Sequence, residues 1–306
     1  MKRKYMIIVL MAGALELTGC SQGTSNSAKN GTTGSENTII SESDIAILDT
    51  EDMFTERDRD TEYDESECTA ISLSDEETKC DSDGVKMDGQ TVTITEGGTY
   101  LLTGSLSNGS VVVDTDKTEK VQLILENVSI INEEGAGICV EQADKVFITL
   151  ADGSTNKIVS NSFTGNEDTN IDGAIFSRED LTLNGSGTLK ITSAAHGIVS
   201  KDDLVLTGGV YQIQSEKQGL SGKESVRIAD GTFTITSGTD AIHSEDTDED
   251  TKGFVYITGG VLTLAAGGDG ISSSYVVQAD GGSFDISTSS TETDTSTKGI
   301  KAQKYV

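Results

Sequence analysis

The sequence predicts an all-β protein, a right-handed parallel β-helix built from coils of about 22 residues. Three observations carry this. First, a phrase repeats: Ala174-Ile175-Phe176-Ser177-Arg178-Glu179-Asp180-Leu181 returns as Gly197-Ile198-Val199-Ser200-Lys201-Asp202-Asp203-Leu204, and more weakly as Gly219-Leu220-Ser221-Gly222-Lys223-Glu224-Ser225-Val226. It opens again at Ala241-Ile242, Gly270-Ile271 and Gly299-Ile300, and the residue before each small side chain (Gly173, His196, Gln218, Asp240, Asp269, Lys298) recurs at intervals of 23, 22, 22, 29 and 29. A period of this length with short alternating strands in each unit is a solenoid signature, because one unit cannot bury its apolar face alone. Second, Gly-Gly and Asp-Gly pairs such as Gly208-Gly209 and Asp230-Gly231 precede alternating segments such as Val210-Tyr211-Gln212-Ile213, supplying the positive φ that corners need. Third, no apolar 3.6-residue period is present, and the segments are rich in Thr, Val and Ile. The handedness follows the usual crossover preference. Ile175, Ile198, Leu220, Ile242, Ile271 and Ile300 are expected to form one inward stack.

In chain order, residues 1–20 read as an export signal: Lys2, Arg3 and Lys4, then an apolar run too short to span a bilayer, then Leu17-Thr18-Gly19-Cys20. The last four residues resemble a bacterial lipobox, with Cys20 the lipidated residue, although Glu16 departs from that pattern. Residues 21–70 are polar and acidic and read as a disordered tether, with the charge run Glu51 to Glu67 as solvated linker. From 71 to 306 the apolar–polar alternation of the solenoid runs on, less regular in its first coils, with residues 153–172 expected as a loop leaving the coil. Cys68, Cys80 and Cys139 give no disulfide framework; Cys68 and Cys80 are close enough in sequence to pair, and Cys139 reads as a small buried hydrophobe.

The chain has 306 residues and a net charge of −29, which excludes nucleic acid and anionic lipid as partners because no basic stripe exists to neutralise phosphates. Tryptophan is absent, and Tyr211, Phe233, Phe254, Tyr256 and Phe284 fall mostly at positions read as inward, so a stacking platform for neutral sugars has little support. Stacked coils bring column-mates to about 4.8 Å. Glu179, Asp202 and Glu224 share a column, with Asp246 approximately next; Asp180 and Asp203 share another. Arg178, Lys201 and Lys223 run beside them, so a plain charge ladder is the competing reading. The fourth coil carries a seven-residue insertion with Glu245-Asp246-Thr247-Asp248-Glu249-Asp250. Calcium takes six to eight oxygen ligands in irregular geometry. The candidate calcium ligands are Asp202 and Asp203 on the columns, and Glu245, Asp246, Asp248 and Asp250 in the insertion, with Asp240 and Asp269 closing the cage. His196 reads as a surface histidine.

The phrases Gly97-Gly98-Thr99-Tyr100-Leu101-Leu102-Thr103-Gly104 and Ala143-Asp144-Lys145-Val146-Phe147-Ile148-Thr149-Leu150-Ala151-Asp152-Gly153, with the two repeat phrases above, are similar to bacterial secreted proteins of the carbohydrate-binding domain-containing family, over roughly residues 78–300. That resemblance implies a pectate-lyase-like parallel β-helix, binding of polysaccharides including cellulose and pectin-like acidic glycans, calcium sites like those of certain pectate lyases, and further coils beyond Lys304-Tyr305-Val306. The expected function is calcium-dependent, non-catalytic polysaccharide binding by a monomer outside the cell, held to the membrane only by lipid at Cys20. Two alternatives stay open: a calcium-dependent pectate lyase with Lys201 as base, and an inert spacer or adhesin.

Overall fold

A strand that alternates apolar and polar residues has one side to bury, and in this chain each strand buries it against its counterpart one coil away. The computed structural model describes residues 48–163, 170–289 and 296–306. These fall in one compact unit, Ser43–Val306; the signal segment and Cys20 lie outside the described residues. Each regular coil contributes three strands, for example His196–Ser200, Asp203–Leu206 and Val210–Ser215, which we assign to faces I, II and III. Face I is a 10-stranded sheet; faces II and III are joined through the bent strand Gly98–Leu106 into a 16-stranded sheet. All pairings between coils are parallel, and the first coil is closed by an antiparallel hairpin, Val85–Asp88 with Thr91–Ile94.

The inward stack falls where the repeats place it. Ile175 pairs with Ile198, Ile198 with Leu220, Leu220 with Ile242, Ile242 with Ile271, and Ile271 with Ile300. The column extends back through Ile138 and Val111 to Val92. All are buried except Ile300, which is half-buried with Phe284 and Ile286 in the last described coil. Tyr211 and Phe233 stack inside the coils with centroids 4.9 Å apart. Corners before face III take left-handed φ at Gly209, Gly260 and Gly282, which side chains rarely tolerate.

Four expectations change. Residues 153–172 do not all leave the coil, because Thr155–Ser160 is a face III strand. Its inward Asn156 hides the alternation: the amide is fully buried and satisfied by Val128, Ser154 and Thr188. Phe254 and Tyr256 do not point inward; they pair with Ser225 and Arg227 on the outer side of face II. Cys68 and Cys80 are free rather than paired. Cys139 is buried, as expected of a small hydrophobe, but outside the barrel, in a satellite cluster with Ala136, Phe176 and Val199 over face I. Burial pushes its thiol well above the usual range.

The fourth change is the largest. The assigned tether packs on the solenoid over 48–60 and becomes strand from Thr69, while 61–67 stay largely exposed. Residues 48–60 lie along the outer side of face II, and Thr69–Leu73 is its first strand, paired with Tyr100–Gly104. A single helical turn, Glu56–Arg59, is capped by Thr55 and buries Asp58. Hydropathy alone gives a linker here, because it cannot anticipate that one carboxylate of the charge run, Asp58, is buried with Lys145 and Thr182 as partners.

If the inward column holds the fold, Ile198→Asp places an unpaired carboxylate between Ile175 and Leu220 and lowers unfolding stability by about 3 kcal/mol or more. Thr234→Asp, on the exposed side of face III, stays within about 0.5 kcal/mol of the parent. Chemical denaturation of the two variants checks this contrast.

Candidate functional site

The corner between faces I and II is where the charged columns meet. Each face I strand ends, a basic residue follows (Arg178, Lys201, Lys223), then an acid (Glu179, Asp202, Glu224), and face II begins. Backbone bonds from Lys223 to Ser200 and from Glu224 to Asp202 keep the columns in register. The fourth coil breaks the acidic column: Gly253, not Asp246, takes the next place, its N–H bonded to the Glu224 carbonyl at 2.7 Å.

Asp180, Asp202 and Asp203 converge here, with one carboxylate oxygen from each within 4.8 Å of the others. Burial, followed by the charges of Asp180, Glu224 and Asp203, pushes the Asp202 carboxyl up to about 7. Burial and then Asp203 also raise Asp180. Asp203 is better compensated, accepting from Ser225 Oγ at 2.5 Å and pairing with Arg227. The cluster is an all-oxygen donor set short of positive charge, which suits a hard cation.

The insertion does not assemble the expected cage. Asp240 and Asp246 bracket the strand Ile242–Ser244 and so stand at opposite edges of face I. Asp240 accepts the backbone N–H of Asp269 at 2.6 Å, and Asp269 accepts that of Lys298 at 2.7 Å and pairs with Lys301 at 2.9 Å. These two acids therefore tie successive coils together. Asp246 caps its own loop, accepting from the N–H groups of Asp248 and Glu249, while Asp248 pairs with Lys223 at 2.8 Å. The Asp250 carbonyl accepts from Lys304. Of the eight expected ligands, only Asp202 and Asp203 enter the convergent group, joined by Asp180.

Next to this corner, the outer side of face I holds a cleft of about 300 Å³. Its floor is Ser221 and Val199; its walls bring together Asp172, Lys201, Lys223 and Glu245 with both histidines of the chain. His196 is no plain surface residue. Its Nδ1 accepts the Gln218 N–H at 3.2 Å, which leaves the Nε2 hydrogen directed toward Asp172, 3.6 Å away. Burial, joined by Lys217, Lys201 and His243 against the pull of Asp172, lowers its pKa to about 4, so the ring is neutral near pH 7. Lys201 lies 3.5 Å from Asp172. His243 Nδ1 is 2.7 Å from Ser272 Oγ and 3.1 Å from Asp240, and its Nε2 is 3.5 Å from Glu245. The arrangement offers hydrogen-bond donors and two amines to an anionic or hydroxyl-rich ligand.

Sequence reasoning missed the cleft, although a signal existed. The outward face I column reads Phe176, Val199, Ser221, His243, Ser272, Lys301 in strict register. Bulky residues give way to Ser221 and then to His243, which marks a depression followed by a polar wall. Asp172 and Gln218 carried no such signal, because loop and corner positions fix them.

A family model described as "Carbohydrate-binding domain-containing protein" matches residues 88–306. A protein of Acetivibrio thermocellus with the same description is 34% identical over 137 residues, 44% of this chain and 48% of that protein, so the chain spans about half the length of this relative. A solved structure described as the polysaccharide lyase-like protein from C. thermocellum, a gadolinium derivative, superimposes with a TM-score of 0.72 at 31% identity, over 78% of this chain and 97% of that one.

The raised Asp202 pKa sets a pH dependence. Between its unfolded value near 4 and its folded value of about 7, the folded state binds more protons than the unfolded chain. Stability in chelator therefore falls as pH rises from about 4 to about 7, and Asp202→Asn flattens that part of the curve. Thermal melts across this range check the sign.

Proposed function

The chain belongs to the carbohydrate-binding domain-containing family, and we propose from that premise that it is a non-catalytic, cell-surface polysaccharide-binding protein. In this reading an acidic glycan lies across the outer side of face I, anchored in the cleft and bridged by calcium at the adjoining corner. Lipid at Cys20 holds the protein to the membrane. The observation that carries the reading is the juxtaposition of Lys201 and Lys223, which line the cleft in exchangeable pairs with Asp172 and Asp248, with the compensation-poor carboxylates of Asp180 and Asp202 around the corner.

The other faces support this choice. The outer side of face II is covered by residues 48–60, and its rings are already occupied: Phe147 lies under Arg57, and Tyr256 under Phe54. Among the described residues the exposed large apolar side chains are Met87, Val261 and Val306, none aromatic, so stacking of a neutral glycan such as cellulose has no evident platform. A net charge of −29 repels a polyuronate at long range. Cations at the point of contact must offset this, and that is the role of the two lysines and the ion.

The donor set fits calcium. Asp180, Asp202 and Asp203 offer hard oxygen ligands, and the proton that Asp202 retains up to about pH 7 occupies the place a cation would take. Bound there, calcium would neutralise the corner and bridge to a sugar carboxylate. Lys201 and His196 would orient the glycan from the cleft side.

A second reading, lyase action with Lys201 as base, is favoured by the adjacency of Lys201 and Asp202 at this corner. Against it, the Lys201 amine is already engaged by Asp172.

Calorimetric titration at pH 7 is expected to detect calcium binding and a calcium-dependent rise in Tm, both lost in Asp202→Asn. Retention on polygalacturonate is expected to fall at least tenfold with chelator, and in Lys201→Ala with Lys223→Ala, without release of unsaturated product. Unsaturated product would establish the lyase reading; binding indifferent to chelator and to all these variants would remove the site assignment.

A further inference from the structure

We propose that the outer side of face II is a docking groove for an acidic segment, and that residues 48–60 are its resident occupant, a clamp that joins distant coils into one cooperative unit. The segment runs along the solenoid axis, not around it. At one end the Leu48 N–H donates to Gln278 Oε1 at 3.1 Å. Phe54 then stacks on Tyr256 with centroids 5.9 Å apart, and Arg227 donates to the Met53 carbonyl at 3.1 Å. Thr207 and Asn184 donate to the Asp58 carbonyl at 2.7 and 3.2 Å, and Asn184 also donates to that of Asp60. At the other end Arg57 donates to Gln122 Oε1 at 2.8 Å and lies 4.4 Å from the Phe147 ring centre.

From Gln122 to Gln278 the segment crosses the face II strands of seven successive coils, roughly 29 Å at ~4.8 Å per step. The ten residues from Leu48 to Arg57 cover it despite the turns at 51–54 and the helical turn, because the side chains of Arg57, Gln122 and Gln278 make the end contacts. The groove is built for its occupant. Gln122 donates to Thr149, which donates to Asn184, a buried ladder that the segment closes. Asp58 is 1% exposed and its carboxylate receives Lys145 at 2.8 Å and Thr182 at 2.7 Å. Burial alone would raise that carboxyl, but the bonds from Lys145 and Thr182 outweigh it and hold it at about 2, so the Asp58 carboxylate stays ionised at any ordinary pH.

Coils in a solenoid touch only their neighbours, so terminal coils can open without disturbing the rest. The last described coil, with Phe284, Ile286 and Ile300 half-buried, is of that kind. A segment bonded at once to Gln122, Asn184, Arg227 and Gln278 removes this freedom, because coils under it cannot separate without breaking contacts 65 to 230 residues away in sequence.

The test cuts the clamp after folding. A protease site is inserted in the full chain between Glu65 and Ser66, both exposed, and cleaved in the native protein. The amino-terminal fragment is expected to stay associated by native mass spectrometry. Displacing it by dilution should speed amide exchange at least tenfold in Phe254–Ile257 and Val277–Ala279, strands nearly 200 residues away. A synthetic 48–60 peptide should restore protection; the same peptide with Asp58→Asn should bind at least tenfold more weakly, and a scrambled one not at all. Exchange unchanged after the fragment leaves, or equal binding of the scrambled peptide, would overturn the proposal. Arg227→Gln in the uncut chain gives an independent reading: faster exchange at Val277–Ala279 supports the clamp, and unchanged exchange contradicts it.

Discussion

Every surface feature of this protein inherits its position from one column of aliphatic side chains, Val92 through Ile138, Ile198 and Ile242 to Ile271, stacked in register inside face I. A slip of one residue in any coil would turn that coil inside out, because strand side chains alternate with period two. Burial of the column forbids the slip. Residues far apart in sequence but equally offset from the column are then forced together outside. That is how Asp180 and Asp203 become neighbours, and how His196 and His243 reach one cleft.

The cost of this arrangement is electrostatic. Repetition copies charge along with shape, and acids repeated at one offset repel across a single coil spacing. The chain meets this in three ways. Beside most acidic columns runs a basic one, so that Lys252 spans Glu224 and Glu249. Along the edge entering face I, acids are spent on backbone N–H groups, as at Asp240 and Asp269. At Asp202 compensation is poor, and there the carboxyl holds its proton to about pH 7. A site that keeps an unfavourable charge arrangement in a fold otherwise able to relieve it is the natural place for a ligand.

The fold was legible from the repeat because coil after coil states the same answer: small residue, aliphatic, outward residue, small or aliphatic residue, and in the coils at Ile175, Ile198 and Leu220 a charged corner. What escaped were the places where polar groups do apolar work. Asn156 in the core, Asp58 under Thr182, and Gln122 beneath Arg57 are buried because they are satisfied, which hydropathy cannot register. The insertion acids do not converge, for a related reason. Counting acids along Glu245 to Asp250 ignored that backbone N–H groups and Lys223 would claim them first. Asp202 and Asp203 do converge, because their column offset, rather than local density, brings them together.

Whether polysaccharide engages the outer side of face I beside the Asp180–Asp202–Asp203 corner is measured directly by hydrogen-exchange mass spectrometry of the full chain with polygalacturonate and calcium. Protection is predicted in peptides covering residues 196–203, 218–225 and 243–245, with Val210–Ser215 and Thr232–Ser237 on face III unchanged. Protection confined to face III, or none at face I under saturating ligand, would contradict that engagement.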